Sequence, residues 1–308
     1  MRFSVIGVGG VGGPFGAALA AAGHDVTFIA RGAHLVAMQA SGLRIIGEQA
    51  RHVSSVQATD DPASVGPVDV VIYAVKLGAV ESAATLLSPL LGPDTAVLSL
   101  QNGVDAEDRL AAIIGKGHVM GGIAEIFAAI EEPGVIKQVS PFARIRFGEL
   151  DGSESVRATA LRAAFESADI ECELTADIER VVWMKFALLA TMSAMTCVTR
   201  VTVGEIRENP DTRAMVRNAI AEVVAVGMAK GIDMSEDDID ATMVRVDSAP
   251  AGGRASMAVD MERGNPMELP WLSGLVVSMG QALNVPTPVH GFIATVLKFH
   301  QDGREVDV

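Results

Sequence analysis

Aromatic residues are scarce in this chain, at 4% of 308 residues. Its apolar content rests instead on small and branched side chains, Ala and Val above all. These suit closely packed helices and buried parallel strands. Cysteine is nearly absent. Cys172 and Cys197 are the only two, and their spacing makes neither a disulfide framework nor a metal-binding motif. A reducing cytoplasm is the expected compartment. Positive charge is in deficit: 24 Lys and Arg against 38 Asp and Glu leave a formal net charge of −14. Such a surface repels polyanions, so neither nucleic acid nor an anionic membrane is an expected partner. A phosphate-bearing ligand would have to be held by local groups.

Internal repeats and low-complexity linkers are missing as well. The first residues read as a strand rather than a charged start followed by an apolar run, so no secretory leader is expected. The most apolar stretch, Val181 to Val198, falls short of the ~20 residues that span a membrane. It also holds Lys185, Thr191, Ser193 and Thr196. It reads as a buried helix of a globular protein.

What is present is an alternation of apolar strands and helices in the first half. Arg2 to Gly7, Asp25 to Ala30, Val68 to Val75 and Thr95 to Leu100 read as strands, with helices near 12–22 and 33–40. Continuous apolar runs such as 68–75 suit parallel strands covered on both faces. Val135 to Val139 and Arg144 to Phe147 flank a Ser-Pro turn and read as a hairpin. A helix over 154–168 and a short strand near 171–174 follow. Beyond Ala176 every segment reads as helical: 177–198, 211–230, 235–247, 254–263, 268–284 and 287–300. The expected fold is α/β, a Rossmann-like doubly wound parallel sheet over residues 1–172 followed by an all-helical domain over 173–308.

Gly7-Val8-Gly9-Gly10-Val11-Gly12 follows the first strand and opens the first helix, in the pattern G-x-G-x-x-G. Gly7 permits a tight turn, Gly9 lets backbone approach a pyrophosphate, and Gly12 lets the helix pack on the strand. A plain strand-to-helix turn is the competing reading. Where an NAD site would carry an acid for the ribose hydroxyls, this chain has Ala30-Arg31. A guanidinium without a carboxylate there favours the 2′-phosphate of NADP(H), unless Arg31 is a solvated surface charge.

Lys76 and Asn102 follow the next two strands, where open α/β sheets bind ligands, although a loop charge and an Asn-Gly turn would look the same. Lys185 sits on the apolar 177–198 helix, so it is either a general acid or a lysine whose head reaches solvent at the helix edge. Leu189 and Ser193 share its face. Ser256 and Asp260 share a face of another helix. Asn265, Pro266 and Glu268 fit a capping arrangement as well as a functional one.

Taken together, these residues resemble the ketopantoate reductase (2-dehydropantoate 2-reductase) family over essentially the whole chain. The resemblance rests on Gly7 to Gly12, Ala30-Arg31, Val75-Lys76, Gln101-Asn102-Gly103, Trp183-Met184-Lys185, Gly204-Glu205, Ser256 through Asp260 to Glu268-Leu269, and Val285-Pro286-Thr287-Pro288. It implies that Lys185 protonates the ketone oxygen as hydride arrives from NADPH. It implies that Glu268 orients substrate or cofactor, and that Asn102 contacts substrate and nicotinamide ribose. Lys76 would lie near the nicotinamide, Ser256 on the substrate carboxylate, and Arg31 on the 2′-phosphate. The substrate implied is a small 2-oxo acid, ketopantoate first, on the way to pantothenate. The chain departs from the family at Leu189 and Ser193, which replace asparagines that bind ketopantoate, and at Val203 and Gly253. A different ketone or imine acceptor, or an NADP(H)-sensing protein without chemistry, are the alternatives. The sequence does not give the oligomeric state, and a homodimer is one assembly open to it.

Overall fold

The computed structural model describes residues 1–303. Its contacts divide the chain into two compact units, the first ending at Glu179 and the second starting at Arg180.

The first unit is built on β1 (Arg2–Ile6), α1 (Gly12–Ala21), β2 (Asp25–Ile29), α2 (Gly32–Ser41), β3 (Leu43–Gly47), β4 (Arg51–Val53) and β5 (Gln57–Thr59). It continues through β6 (Val70–Tyr73), α3 (Val80–Ala84), β7 (Ala96–Ser99), α4 (Ala106–Ile114), β8 (Val119–Glu125), β9 (Ala128–Glu132) and β10 (Val135–Gln138). It closes with β11 (Arg144–Glu149), α5 (Val156–Ser167) and β12 (Glu171–Leu174).

The main sheet runs β12-β11-β8-β7-β6-β1-β2-β5. Every neighbouring pair is parallel except β8 with β11. Side chains alternate between two cores, as the period of a strand requires. Phe3, Val5, Val70 and Ile72 join one cluster with Phe15, Leu19 and Phe165 of α1 and α5. Ile6, Val71 and Tyr73 join the other with Val80 and Leu110 of α3 and α4. The strands are apolar throughout because both faces are covered. β12 pairs with β11, so the sheet runs past residue 172, where the sequence reading placed the domain limit.

The expected hairpin is not formed. Val135 to Gln138 belongs to a second sheet, ordered β4-β3-β10-β9, whereas Arg144 to Glu149 belongs to the main sheet. The Ser140-Pro141 link carries the chain from one sheet to the other. It is pinned by Gln138 Nε2 donating to the Ser140 carbonyl at 2.9 Å and by Ser140 Oγ donating to the Phe142 carbonyl at 2.7 Å. Along the outer edge of the main sheet, Arg144 and Arg146 of β11 both reach Glu125 of β8. They also pair with Glu171 and Glu173 of β12, at 2.8 and 3.3 Å.

The helical part comprises α6 (Ile178–Thr199), α7 (Val203–Glu208), α8 (Pro210–Lys230), α9 (Asp237–Ser248), α10 (Ser256–Glu262), α11 (Ser273–Leu283) and α12 (Pro288–Leu297). α6 is long and apolar enough to cross a membrane, but 67% of its apolar window is buried inside the protein, so it serves as a core helix. Trp183 and Phe186 meet edge to face at 5.9 Å. α8 passes close by at Gly227, where a Cβ would stand 3.0 Å from the Trp183 ring. α7, which the sequence reading passed over, opens on a capping box between Thr202 and Glu205. The expected 268–284 helix is broken at Leu272 into a 3-10 turn, Leu269–Trp271, and α11.

Three of these helices are tied by buried polar groups. Glu222 of α8 accepts the N–H groups of Val289 and His290 on α12, at 2.7 and 3.0 Å. The fully buried His290 ring lies 3.1 Å from Ser273 Oγ on α11 and 3.2 Å from the Ala219 carbonyl on α8. A carbonyl can only accept, so Nε2 carries the proton and the Ser273 hydroxyl donates to Nδ1.

Candidate active site

The carboxyl ends of β1, β2, β6 and β7 bring the glycine loop, Arg31, Lys76 and Asn102 to one edge of the main sheet. Sequence order reverses there between β1 and β6, which is where open sheets hold ligands. Gly7 has φ +93°, and a Cβ on it would lie 2.5 Å from the Ala74 carbonyl carbon, because the exits of β1 and β6 press together. A Cβ on Gly12 would lie 2.4 Å from the Gly7 oxygen. On Gly10 it would lie 1.9 Å from the Ala128 oxygen of β9, a contact the sequence did not foretell. Gly9 differs, with nothing within 4 Å of its Cβ position. Val8 is buried and Val11 stands at the N-cap of α1. No side chain caps α1, and no acidic residue lies in its first turn. Its leading N–H groups and dipole are therefore disposed to meet an anion.

Arg31 is exposed in extended conformation (φ −137°, ψ 160°) at the N-cap of α2. Its guanidinium makes no ion pair or hydrogen bond among the described residues. Lys76 is exposed at the cap of a 3-10 turn, Leu77–Ala79. Asn102 is half-buried beside Gly103, which has φ +93°. Next to it Gln101 is buried, its Oε1 accepting from Ser99 Oγ at 2.7 Å while its Nε2 finds no partner among the described residues. Burial pushes the Glu107 carboxyl, on α4, up to about 7. The sequence reading named Gln101 only as part of the Gln101-Asn102-Gly103 motif and passed over Glu107. An acid in the first turn of a helix is ordinary, and nothing in the chain order shows that this one is withdrawn from solvent far enough to hold its proton.

In the second unit, Lys185, Leu189 and Ser193 lie at i, i+4 and i+8 on one face of α6. Lys185 and Leu189 are half-buried, and Ser193 is 1% exposed with a hydroxyl that has no partner among the described residues. Ser256 is exposed at the start of α10. Asp260 accepts from Asn265 Nδ2 at 3.2 Å. Asn265 caps no helix. Glu268, half-buried, takes the cap position of the Leu269–Trp271 turn through its own carbonyl, which accepts from Trp271 and Leu272 at 3.1 Å. Ser256 and Glu268 thus stand on elements separate from α6. The described residues contain no cluster of His, Cys, Asp and Glu suited to a metal ion.

Residues 3–152 match the family model described as ketopantoate reductase PanE/ApbA, and residues 177–301 match its C-terminal counterpart. A 2-dehydropantoate 2-reductase of Mesorhizobium japonicum is 31% identical, the match covering 94% of each protein. The crystal structure of 2-dehydropantoate 2-reductase from Geobacter metallireducens GS-15 has a TM-score of 0.90 at 27% identity. It covers 97% of this chain and 99% of that one. The ternary structure of D-mandelate dehydrogenase with NADH and anilino(oxo)acetate shares the fold, with a TM-score of 0.88 at 20% identity and 98% of each chain covered. Both halves are matched in order, over nearly the full length of each relative. The chain is therefore an oxidoreductase and belongs to the ketopantoate reductase family.

Proposed function

We propose that the protein reduces a small 2-oxo acid with hydride from NADPH, and that ketopantoate, reduced to pantoate for pantothenate synthesis, is the first substrate to test. The observation that carries this reading is Lys185, a half-buried ammonium in the largely apolar stretch of α6. When bound, NADPH supplies the hydride. As the carbonyl oxygen gains negative charge, the Lys185 ammonium stabilises it and gives up a proton to complete the alcohol. Asn102, Glu268 and Lys76 orient the reacting ends, and Ser256 takes the substrate carboxylate.

The loop fits a dinucleotide for a physical reason. Gly9 is the one position of the motif where backbone is open to a close-fitting ligand, and the uncapped start of α1 offers N–H groups to phosphate. Exposed Arg31 supports a 2′-phosphate. Its replacement by Ala should weaken NADPH by about 1.5–3 kcal/mol, the worth of a hydrogen bond to a charged group, and leave NADH nearly unchanged. Equal loss for both would remove the clamp role.

Steady-state oxidation of NADPH against a panel of 2-oxo acids tests the reaction, and turnover with none of them overturns it. Lys185→Ala should lower kcat by about 10²–10⁴-fold with dinucleotide binding kept. A second reading, reduction of a bulkier or more apolar carbonyl, is favoured by Leu189, which cannot donate a hydrogen bond. Activity that persists when the substrate carboxylate is removed selects it.

A further inference from the structure

The small four-stranded sheet has no part in the chemistry above, yet it bears on the glycine loop and the helix that follows. Ala128 of β9 backs Gly10. Ile136 of β10 backs Gly13, whose Cβ would stand 2.1 Å from Cδ1 of that side chain. A third link passes through His34, in the first turn of α2, three residues beyond Arg31. The Gly134 N–H, in the turn between β9 and β10, donates to His34 Nδ1 at 3.0 Å. Gly134 has φ +79°, and a Cβ on it would lie 3.1 Å from the Ala37 Cβ, so turn and helix are already close.

The Gly134 bond occupies Nδ1, which leaves the ring proton on Nε2. Burial holds the ring below the ordinary histidine range, which keeps it neutral. Nε2 is buried and completes no well-formed hydrogen bond among the described residues, and the backbone of Val8 in the glycine loop acts on the ring. A buried donor left unmade is costly, and the acceptor that would satisfy it belongs to the loop itself. In a planar trans peptide the carbonyl of Val8 and the N–H of Gly9 point in opposite directions. Whatever holds the first aims the second, and Gly9 is the open glycine.

We propose that His34 is a positioning residue for the dinucleotide: Nε2–H takes the Val8 carbonyl as the loop closes on pyrophosphate, and so turns the Gly9 N–H toward the ligand. The small sheet, through Gly134, holds the imidazole in the required tautomer. This rests on the reading that the loop binds a dinucleotide.

The test compares wild type with His34→Ala, His34→Asn and His34→Gln, by fluorescence titration with NADPH and NADH and by steady-state kinetics. Asn keeps an acceptor near Nδ1 for Gly134 but loses the donor. Gln places an N–H near Nε2. Ala and Asn should weaken both dinucleotides by about tenfold, raising their KM while kcat stays within about twofold, and Gln should recover most of the loss. Loss of NADH in step with NADPH separates this role from that of Arg31. Wild-type affinity in Asn, or no effect in any variant, overturns the proposal. So does an Asn and Gln pair that weakens equally, and this comparison stands even if Ala fails to fold. If wild type binds neither dinucleotide, the reading of the loop fails, and the role of His34 falls with it.

Discussion

Gly9 and Gly10 are adjacent and carry no side chain, yet a methyl group would mean different things at each. At Gly10 it would meet the Ala128 oxygen at 1.9 Å, and at Gly9 it would meet nothing within 4 Å. Gly10→Ala should therefore destabilise the protein by about 1–3 kcal/mol, the usual range for an overfilled interior, and shift its thermal midpoint. Gly9→Ala should leave the midpoint unchanged and raise the KM for the dinucleotide. Calorimetry beside initial-rate kinetics separates the two, and an unchanged KM in Gly9→Ala would mean that no ligand approaches there. The glycine pattern, Arg31 and Lys185 stand out as candidates in the sequence because each breaks a local rule: a run of glycines, a cation at a strand exit, a charge in an apolar stretch. His34 was not legible. Its partner, Gly134, lies 100 positions away, and a histidine in an exposed helical segment carries no local signal.

The strands that escaped the sequence reading did so for separate local reasons. β8 contains Gly121 and Gly122, which look like a turn. Their smallness instead answers close packing, since a Cβ on Gly122 would lie 2.8 Å from Leu98. β9 is a short, largely exposed strand without clear alternation. The hairpin expected across Ser140-Pro141 failed because alternation identifies a strand but does not identify its neighbour. Among the helices, the tie of α8, α11 and α12 at His290 makes a prediction of its own. Burial pushes this imidazole down from 6.5 to about 4. Between those values the unfolded chain binds the proton and the folded one does not. The contribution is thus fully present above about pH 6.5 and is lost as pH falls toward 4. That amounts to about 3 kcal/mol at ~1.4 kcal/mol per pKa unit. Urea unfolding across this range should show a shallower pH dependence in His290→Gln than in wild type. Parallel curves would mean that the ring does not titrate with unfolding.

The division into a sheet-bearing half and a helical half was visible at the level of the whole chain. Strand and helix periods alternate in the first half, and only the helical period persists in the second. The charge of the whole molecule has a kinetic consequence. A polyanionic dinucleotide approaches a surface with a formal charge of −14, against the field and toward a small cationic spot. Salt shortens the Debye length from about 30 Å at 0.01 M to about 8 Å at 0.15 M. The association rate constant of NADPH, read by stopped-flow fluorescence, should rise over that range. A fall would show that Arg31 and its neighbours outweigh the global field. The same acidity does other service at the rim of the main sheet. β12 is an edge, with a row of backbone donors and acceptors open on one side, and its outward positions are Glu171 and Glu173, each held by an arginine of β11. A second molecule that tried to add its own β12 there would bring carboxylates against carboxylates. The charge ladder that fastens the last strand should therefore also disfavour edge-to-edge addition of a second copy, and replacing Glu171 and Glu173 by Thr should raise light scattering at high concentration.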